Sequence, residues 1–229
     1  MPHGILITAT APAAGKTLIG CALAFAAHAR GMRVGVMKPI AMGCREAAGV
    51  LECVDARGLA YAAACDLPME TICPYRYQAS TVAIEGPQAP DLPEIARAYG
   101  KVAARSDFTI VEGFDALAAP FSIDAASGRV KDSADLARTL NLAVVIVARN
   151  DPGCLNATRS AVHYARSRGI GIVGLVLNDV AESCSTVTDT KLELMRKILG
   201  VPILGRVRFK QPVPREIIDP ILNRIEAWS

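Results

Sequence analysis

Three consecutive residues, Gly15-Lys16-Thr17, stand between the apolar run Ile5-Leu6-Ile7 and a helix-like stretch from Leu18 to Arg30. A strand that turns sharply into a helix leaves unpaired backbone N–H groups at the helix's positive end, and a glycine there lets the chain approach an anion closely. A lysine at that place reaches the β and γ phosphates of a nucleotide, and the threonine hydroxyl ligates Mg²⁺. The glycine that ordinarily opens such a loop is absent, because the preceding residues read Ala9-Thr10-Ala11-Pro12-Ala13-Ala14. Nucleotide binding therefore has to be argued from residues further along the chain as well.

Five other places carry groups that could take part in binding or phosphate chemistry. Lys38, before Pro39, reads alone as a solvated lysine; beside a phosphate loop it reads as a second cation that neutralises transferring charge. Asp55 opens a helix-like segment, where an N-cap carboxylate is the ordinary reading. Glu112 closes the apolar stretch Phe108-Thr109-Ile110-Val111, and a carboxylate there must be paired or metal-bound. With Thr17 it offers the hard oxygens that Mg²⁺ takes. Gly153-Cys154-Leu155-Asn156 is either a carboxylate-binding helix start or a plain capped one, and Asn178-Asp179 is either an adenine reader or a turn. His28 and His163 fall within helical segments and His3 near the terminus, so histidine acid–base chemistry is not indicated.

The elements that must position these residues alternate. Continuously apolar, β-branched runs at 5–8, 33–38, 108–112, 143–148, 172–177 and 203–207 predict buried strands. Helices are predicted at 17–30, 56–64, 92–105, 133–140, 156–168 and 188–199, with a terminal amphipathic helix at 214–228. The alternation predicts an α/β fold: a doubly wound, mainly parallel sheet covered by helices on both faces, three layers in all. Ligands then sit at the carboxyl ends of the strands, which is where Lys38, Glu112 and Asn178 fall. The Pro-rich patch at Pro87, Pro90 and Pro93 reads as a loop leading into a helix, so residues 1–229 are expected to form a single domain.

Composition narrows the partners. Lys and Arg number 25 against 22 Asp and Glu, a net charge of +3 that argues against a nucleic-acid partner and for an anionic small molecule. No window reaches the roughly 18 apolar residues of a membrane span, and no signal peptide is recognisable, so a cytoplasmic location is expected. Seven cysteines, Cys21, Cys44, Cys53, Cys65, Cys73, Cys154 and Cys184, lack a C-x-x-C pair and read as reduced thiols.

In order and spacing, Gly15-Lys16-Thr17, Lys38-Pro39-Ile40-Ala41-x-Gly43, Asp55, Pro74-Tyr75, Val111-Glu112-Gly113, Gly153-Cys154-Leu155-Asn156 and Asn178-Asp179-Val180 resemble the dethiobiotin synthetase family, over nearly the whole chain. That family is related to the cobyrinic and cobyric acid synthases. The resemblance implies a P-loop NTPase-like fold, a homodimer, and ATP- and Mg²⁺-dependent ring closure on the diamine 7,8-diaminononanoate with CO₂. It implies that Thr10, Ala14, Gly15, Lys16, Thr17 and Leu18 hold the phosphates and that Asn178 reads adenine. Thr17, Asp55 and Glu112 would surround Mg²⁺, and Lys16 and Lys38 would act in catalysis. Lys38 would also touch the substrate, whose distal carboxylate the N–H groups of Gly153, Cys154, Leu155 and Asn156 would hold across the dimer interface.

The departures lie on the substrate side. Ala9 replaces the family's first loop glycine, Ala11-Pro12 its polar Asp-Thr pair, and Met42 a hydroxyl. The Ser-Pro-His expected after Pro74-Tyr75 is missing from 78–85, and Phe114-Asp115-Ala116 stands where a glycine-rich turn is expected. Gly205-Arg206-Val207-Arg208 replaces a proline-containing turn beside adenine. A pocket more apolar than the family's, suited to another amine, is one alternative. Another is a nucleotide-binding regulatory module without ligase chemistry, similar to phosphotransacetylase-type N-terminal domains. A partition-type ATPase would need a second lysine near Ala11, which this chain lacks.

Overall fold

The computed structural model describes residues 4–78, 84–86, 88–124, 127–182 and 188–227. His3, Pro87, Cys184, the end of the expected terminal helix at Trp228 and most of 78–85 lie outside them. The chain runs β1 (Gly4–Ala9), α1 (Lys16–Ala29), β2 (Val34–Met37), β3 (Ile40–Ala41), β4 (Arg45–Ala47), β5 (Val50–Glu52), α2 (Val54–Ala62), α3 (Met69–Ile72), β6 (Tyr75–Arg76), α4 (Leu92–Ala103) and β7 (Phe108–Glu112). It continues through β8 (Pro120–Ile123), β9 (Val130–Asp132), α5 (Ser133–Thr139), β10 (Ala143–Arg149), α6 (Cys154–Ser167), β11 (Ile172–Asn178), α7 (Thr188–Leu199), β12 (Ile203–Val207) and α8 (Arg215–Glu226).

Six of these strands form one sheet in the order β12-β11-β10-β1-β7-β2, and every neighbouring pair is parallel. The chain leaves β1 for the edge strand β2, comes back through β7, and then crosses β1 to build β10, β11 and β12. The winding direction thus reverses around β1, and loops at the carboxyl end of such a reversal part to form a crevice. Side chains alternate across β1: Ile5 and Ile7 pack with Ile19 and Leu23 of α1, Leu59 of α2 and Ile217 of α8, while Leu6 packs with Ile95 of α4, Leu136 of α5 and Met195 of α7. Burial on both faces is why these strands read as unbroken apolar runs.

The expected strands and helices are all present, with ends shifted by a residue or two. The short pieces β3 to β6, α3, β8 and β9 were not expected, and their lengths of two to four residues explain it, since no periodicity develops over such spans. The six short strands pair in three small two-stranded sheets, β3-β6, β4-β5 and β8-β9. Helix starts follow side-chain chemistry: Asp91 caps α4 by accepting the Glu94 N–H at 3.2 Å, and Asp132 caps α5 by accepting the Ala134 and Asp135 N–H groups at 2.9 Å. Among the described residues no helix is long and apolar enough to cross a membrane.

Candidate functional site

Register brings the chemistry together. Ile7 of β1 pairs with Glu112 of β7, and Met37 of β2 with Val111, so the residues just beyond β1 and β2 meet Glu112 at one end of the sheet. Ala9 is fully buried as the last residue of β1 and its φ is not positive, so its methyl fits where the family's loop opens with glycine. Ala13 takes the left-handed conformation instead, at φ 52°. The Pro12 carbonyl accepts Arg149 Nη1 at 3.2 Å.

Gly15 is the pivot between this loop and α1. Its φ is 100°, and a Cβ built there would stand 2.3 Å from Asn178 Nδ2. Both conformation and space therefore require glycine. The first bond of α1 is Ile19 N–H to the Gly15 carbonyl at 3.2 Å, and among the described residues the N–H groups of Gly15, Lys16, Thr17 and Leu18 donate to no protein acceptor. Free donors at a helix start form an anion cradle. A Gly15→Ala variant is expected to stay folded yet lose at least about tenfold in nucleotide affinity by forcing the loop off Asn178. Calorimetric titration checks this, and unchanged affinity would show that the loop repacks at no cost.

Beside the cradle, a cavity of about 430 Å³ is lined by Pro12 to Thr17, Lys38, Ile40, Met42, Asp55 and Glu112 to Asp115. Lys38 Nζ donates to Asp55 Oδ2 and to Glu112 Oε1, both at 2.6 Å, and Thr17 Oγ1 donates to the same Glu112 oxygen at 3.1 Å. The three charged side chains differ sharply in exposure, at 12% for Lys38, 51% for Asp55 and 2% for Glu112. Burial works against the Lys38 charge, yet the Glu112 and Asp55 carboxylates overcome it and hold the ammonium well above the usual lysine range. Lys16 makes no ion pair among the described residues. Burial lowers its pKa, with Glu112 opposing that shift and Lys38 adding to it.

Glu112 Oε2 is buried with no hydrogen-bond partner among the described residues. An orphaned carboxylate oxygen at this depth calls for a cation. Thr17, Glu112 and Asp55 fit Mg²⁺, which takes one or two carboxylates and keeps several waters. No cluster of three or more His, Cys, Asp or Glu suited to a metal exists among the described residues, so a metal held wholly by such protein groups does not fit here. Asp55 is not the cap of α2. That role falls to Cys53, whose sulfur accepts the Ala56 N–H at 3.4 Å, which frees the Asp55 carboxylate for Lys38.

The chain is 36% identical over 181 residues, 77% of its length and 76% of the relative's, to the ATP-dependent dethiobiotin synthetase BioD of Anaeromyxobacter sp. (strain K). This chain belongs to the dethiobiotin synthetase family. The protein of the same name from Xanthomonas oryzae pv. oryzae (strain PXO99A) is 29% identical over 220 residues, covering 91% of this chain and 92% of that one. The AAA domain family matches residues 3–216. Among solved structures, a ParA family ATPase from Chlorobium tepidum TLS superposes with a TM-score of 0.56 at 13% identity, over 99% of each chain. The Pyrococcus furiosus cell division ATPase MinD gives 0.56 at 15%, over 100% of each. At such identities the likeness concerns the fold alone, a P-loop NTPase-like α/β sheet.

Of the positions that the dethiobiotin synthetase resemblance marks, Ala14, Gly15, Lys16, Thr17, Lys38, Asp55 and Glu112 line one cavity. Thr10 lies to the side, its hydroxyl accepting the Arg149 N–H at 3.1 Å and so tying β1 to β10. Leu18 is 44% exposed and offers the site its backbone N–H. Asn178 is buried at the end of β11 and donates Nδ2 to the Ala14 carbonyl at 2.8 Å, so it braces the loop in addition to any contact with a base. Its neighbour Asp179 is no turn residue: it is buried, pairs with Arg206 and accepts Asn150 Nδ2 at 2.6 Å. Arg206 is thereby committed to Asp179.

Gly153, Cys154, Leu155 and Asn156 begin α6 beyond β10 and do not line the Lys38 cavity of their own chain. Gly153 makes no side-chain cap, and the N–H groups of Leu155 and Asn156 meet no protein acceptor among the described residues. Ile40, Phe114 and Asp115 complete the cavity lining. The sequence singles out the last two only as departures from a glycine-rich turn, and nothing in its pattern marks Ile40 as a wall.

Proposed function

We propose that this chain is an ATP-dependent dethiobiotin synthetase, closing a cyclic urea on 7,8-diaminononanoate with CO₂. The observation that carries the reading is the Lys38 ammonium held between Asp55 and Glu112, one side chain from Thr17 and the bare N–H groups of the loop. An amine of the substrate captures CO₂ as a carbamate, the carbamate oxygen attacks the γ-phosphate of ATP and displaces ADP, and the neighbouring amine attacks the carbonyl of the resulting carbamic-phosphoric anhydride, closing the ring as phosphate leaves. The loop N–H groups and Lys16 bind the nucleotide's phosphates. Lys38, kept protonated by its carboxylates, stabilises the negative charge shared by carbamate and phosphoryl group. Thr17, Asp55 and Glu112 would hold Mg²⁺, which would supply charge neutralisation for the phosphates. Asn178 faces the adenine, and in a homodimer the partner's copy of the α6 start receives the substrate carboxylate.

A second reading, ligation of a different amine, is favoured by the cavity wall. Ile40, Phe114 and the 37% exposed Met42 line it where the family resemblance leads one to expect a hydroxyl at position 42. ADP release from Mg-ATP and bicarbonate, with and without 7,8-diaminononanoate, tests both. Stimulation to an ordinary enzymatic rate supports the first reading and sinks the second. Nucleotide binding without stimulation by any amine of a diamine panel sinks both and leaves a binding module.

A further inference from the structure

We infer that Asp115 is a substrate-binding carboxylate that receives an amine of the substrate and so helps to select a diamine. The inference rests on the proposed reading of the cavity as an amine site. Asp115 lines the same cavity as Lys16, Thr17, Lys38 and Glu112. Its Oδ1 is shielded from solvent and has no hydrogen-bond partner among the described residues. The residue sits at φ 43°, a left-handed conformation that glycine adopts freely and other side chains adopt at a steric cost. It stands in the turn after Glu112-Gly113, where the resemblance leads one to expect glycines. A turn suits Asp at this φ, but a buried carboxylate oxygen left unsatisfied beside a cavity has no local reason for its place, and such conflicts gather where a ligand resolves them.

The charges in the cavity say which ligand. Lys38 is already bonded to Asp55 and Glu112. Lys16 feels Asp115 electrostatically but makes no ion pair with it, and the proposed reading assigns Lys16 to the phosphates. A nucleotide phosphate would be repelled by a further carboxylate. Mg²⁺ takes only one or two carboxylates, and Asp55 and Glu112 supply them. What remains is an N–H donor arriving with the substrate. A diamine has such donors on adjacent carbons, so one nitrogen anchored at Asp115 leaves the other free to react beside Lys38. Orientation of that kind raises rate by positioning the reacting atoms.

Asp115→Asn keeps the shape, tolerates the left-handed backbone and removes the charge; Asp115→Gly also removes the strain, so at least one variant stays folded. Calorimetric titration of 7,8-diaminononanoate into each protein, loaded with Mg²⁺ and a non-hydrolysable ATP analogue, reads the contact directly. The expected result is diamine affinity at least about tenfold weaker in both variants, with Mg²⁺ and nucleotide affinities within about twofold of the parent. Equal diamine affinity in parent and variants overturns the inference, as does a parent that binds no diamine. Weaker Mg²⁺ affinity with unchanged diamine affinity also overturns it, in favour of a metal ligand. A parent that binds the diamine without turning it over defeats the proposed function and leaves Asp115 as its binding group. Turnover that is indifferent to Asp115→Asn, with unchanged KM, does the reverse.

Discussion

Replacing Lys38 by alanine is expected to lower diamine-stimulated ADP release by at least about a thousandfold while changing nucleotide affinity by less than about threefold. The ammonium lies 2.6 Å from both Asp55 and Glu112, and those carboxylates fix its position and its charge. A positioned cation aimed at developing negative charge acts mainly in the transition state, so its loss falls on kcat and little on binding. The same substitution should lower stability. Glu112 is 2% exposed, and removing its cation strands a buried carboxylate, which costs about 3 kcal/mol. For a domain of this size that is a drop of roughly 6–12 °C in Tm. Asp55, half exposed, contributes little. Combining Lys38→Met with Glu112→Gln removes both charges and should return most of the stability with none of the turnover. Near-normal turnover in Lys38→Ala would refute the assigned role, and an unchanged Tm would refute the ion pair as what holds Glu112.

Lys16→Ala is expected to have the opposite signature. Lys16 has no carboxylate partner among the described residues, and burial lowers its pKa, so its charged form is disfavoured by folding. A lysine with a depressed folded-state pKa binds fewer protons folded than unfolded in the window between its two pKa values, so its penalty shrinks as pH rises through that window. Removing it should leave stability at neutral pH unchanged or slightly higher. Nucleotide affinity should fall at least about a hundredfold, because phosphate oxygens would then enter without the cation that the cradle presents to them, a loss of about 3 kcal/mol. Titration with ADP and with ATP separates the sources: a larger loss for ATP places the ammonium on the terminal phosphate. Retention of full affinity would mean that the loop N–H groups suffice.

These two lysines show how much of the site could be read in advance. Lys16 is bound to its loop by adjacency, so Gly15-Lys16-Thr17 and the apolar run before it were enough to locate it. Lys38 was placed at the correct end of a strand, but what it bonds was not legible. The N-cap reading of Asp55 gives way because Cys53 takes the cap, a role for which cysteine is not a preferred residue. Asn178 was read as an adenine reader or a turn residue, and its amide also braces the Ala14 carbonyl. The short strands β3 to β6, β8 and β9 escaped because two to four residues carry no period.

By itself the sequence determined the six buried strands, the helices between them, and the phosphate loop at the end of the first. Those depend on neighbours: apolar runs that must be buried, and a glycine that lets backbone N–H groups turn outward. Only the tertiary structure decided that residues 17, 74 and 164 positions apart would touch, as Lys38 meets Asp55 and Glu112 and Asn178 meets the loop. It alone decided that oxygens of Glu112 and Asp115 would be buried without partners among the described residues. Strand order and register place side chains from distant segments at one sheet edge, and neither is encoded in local spacing.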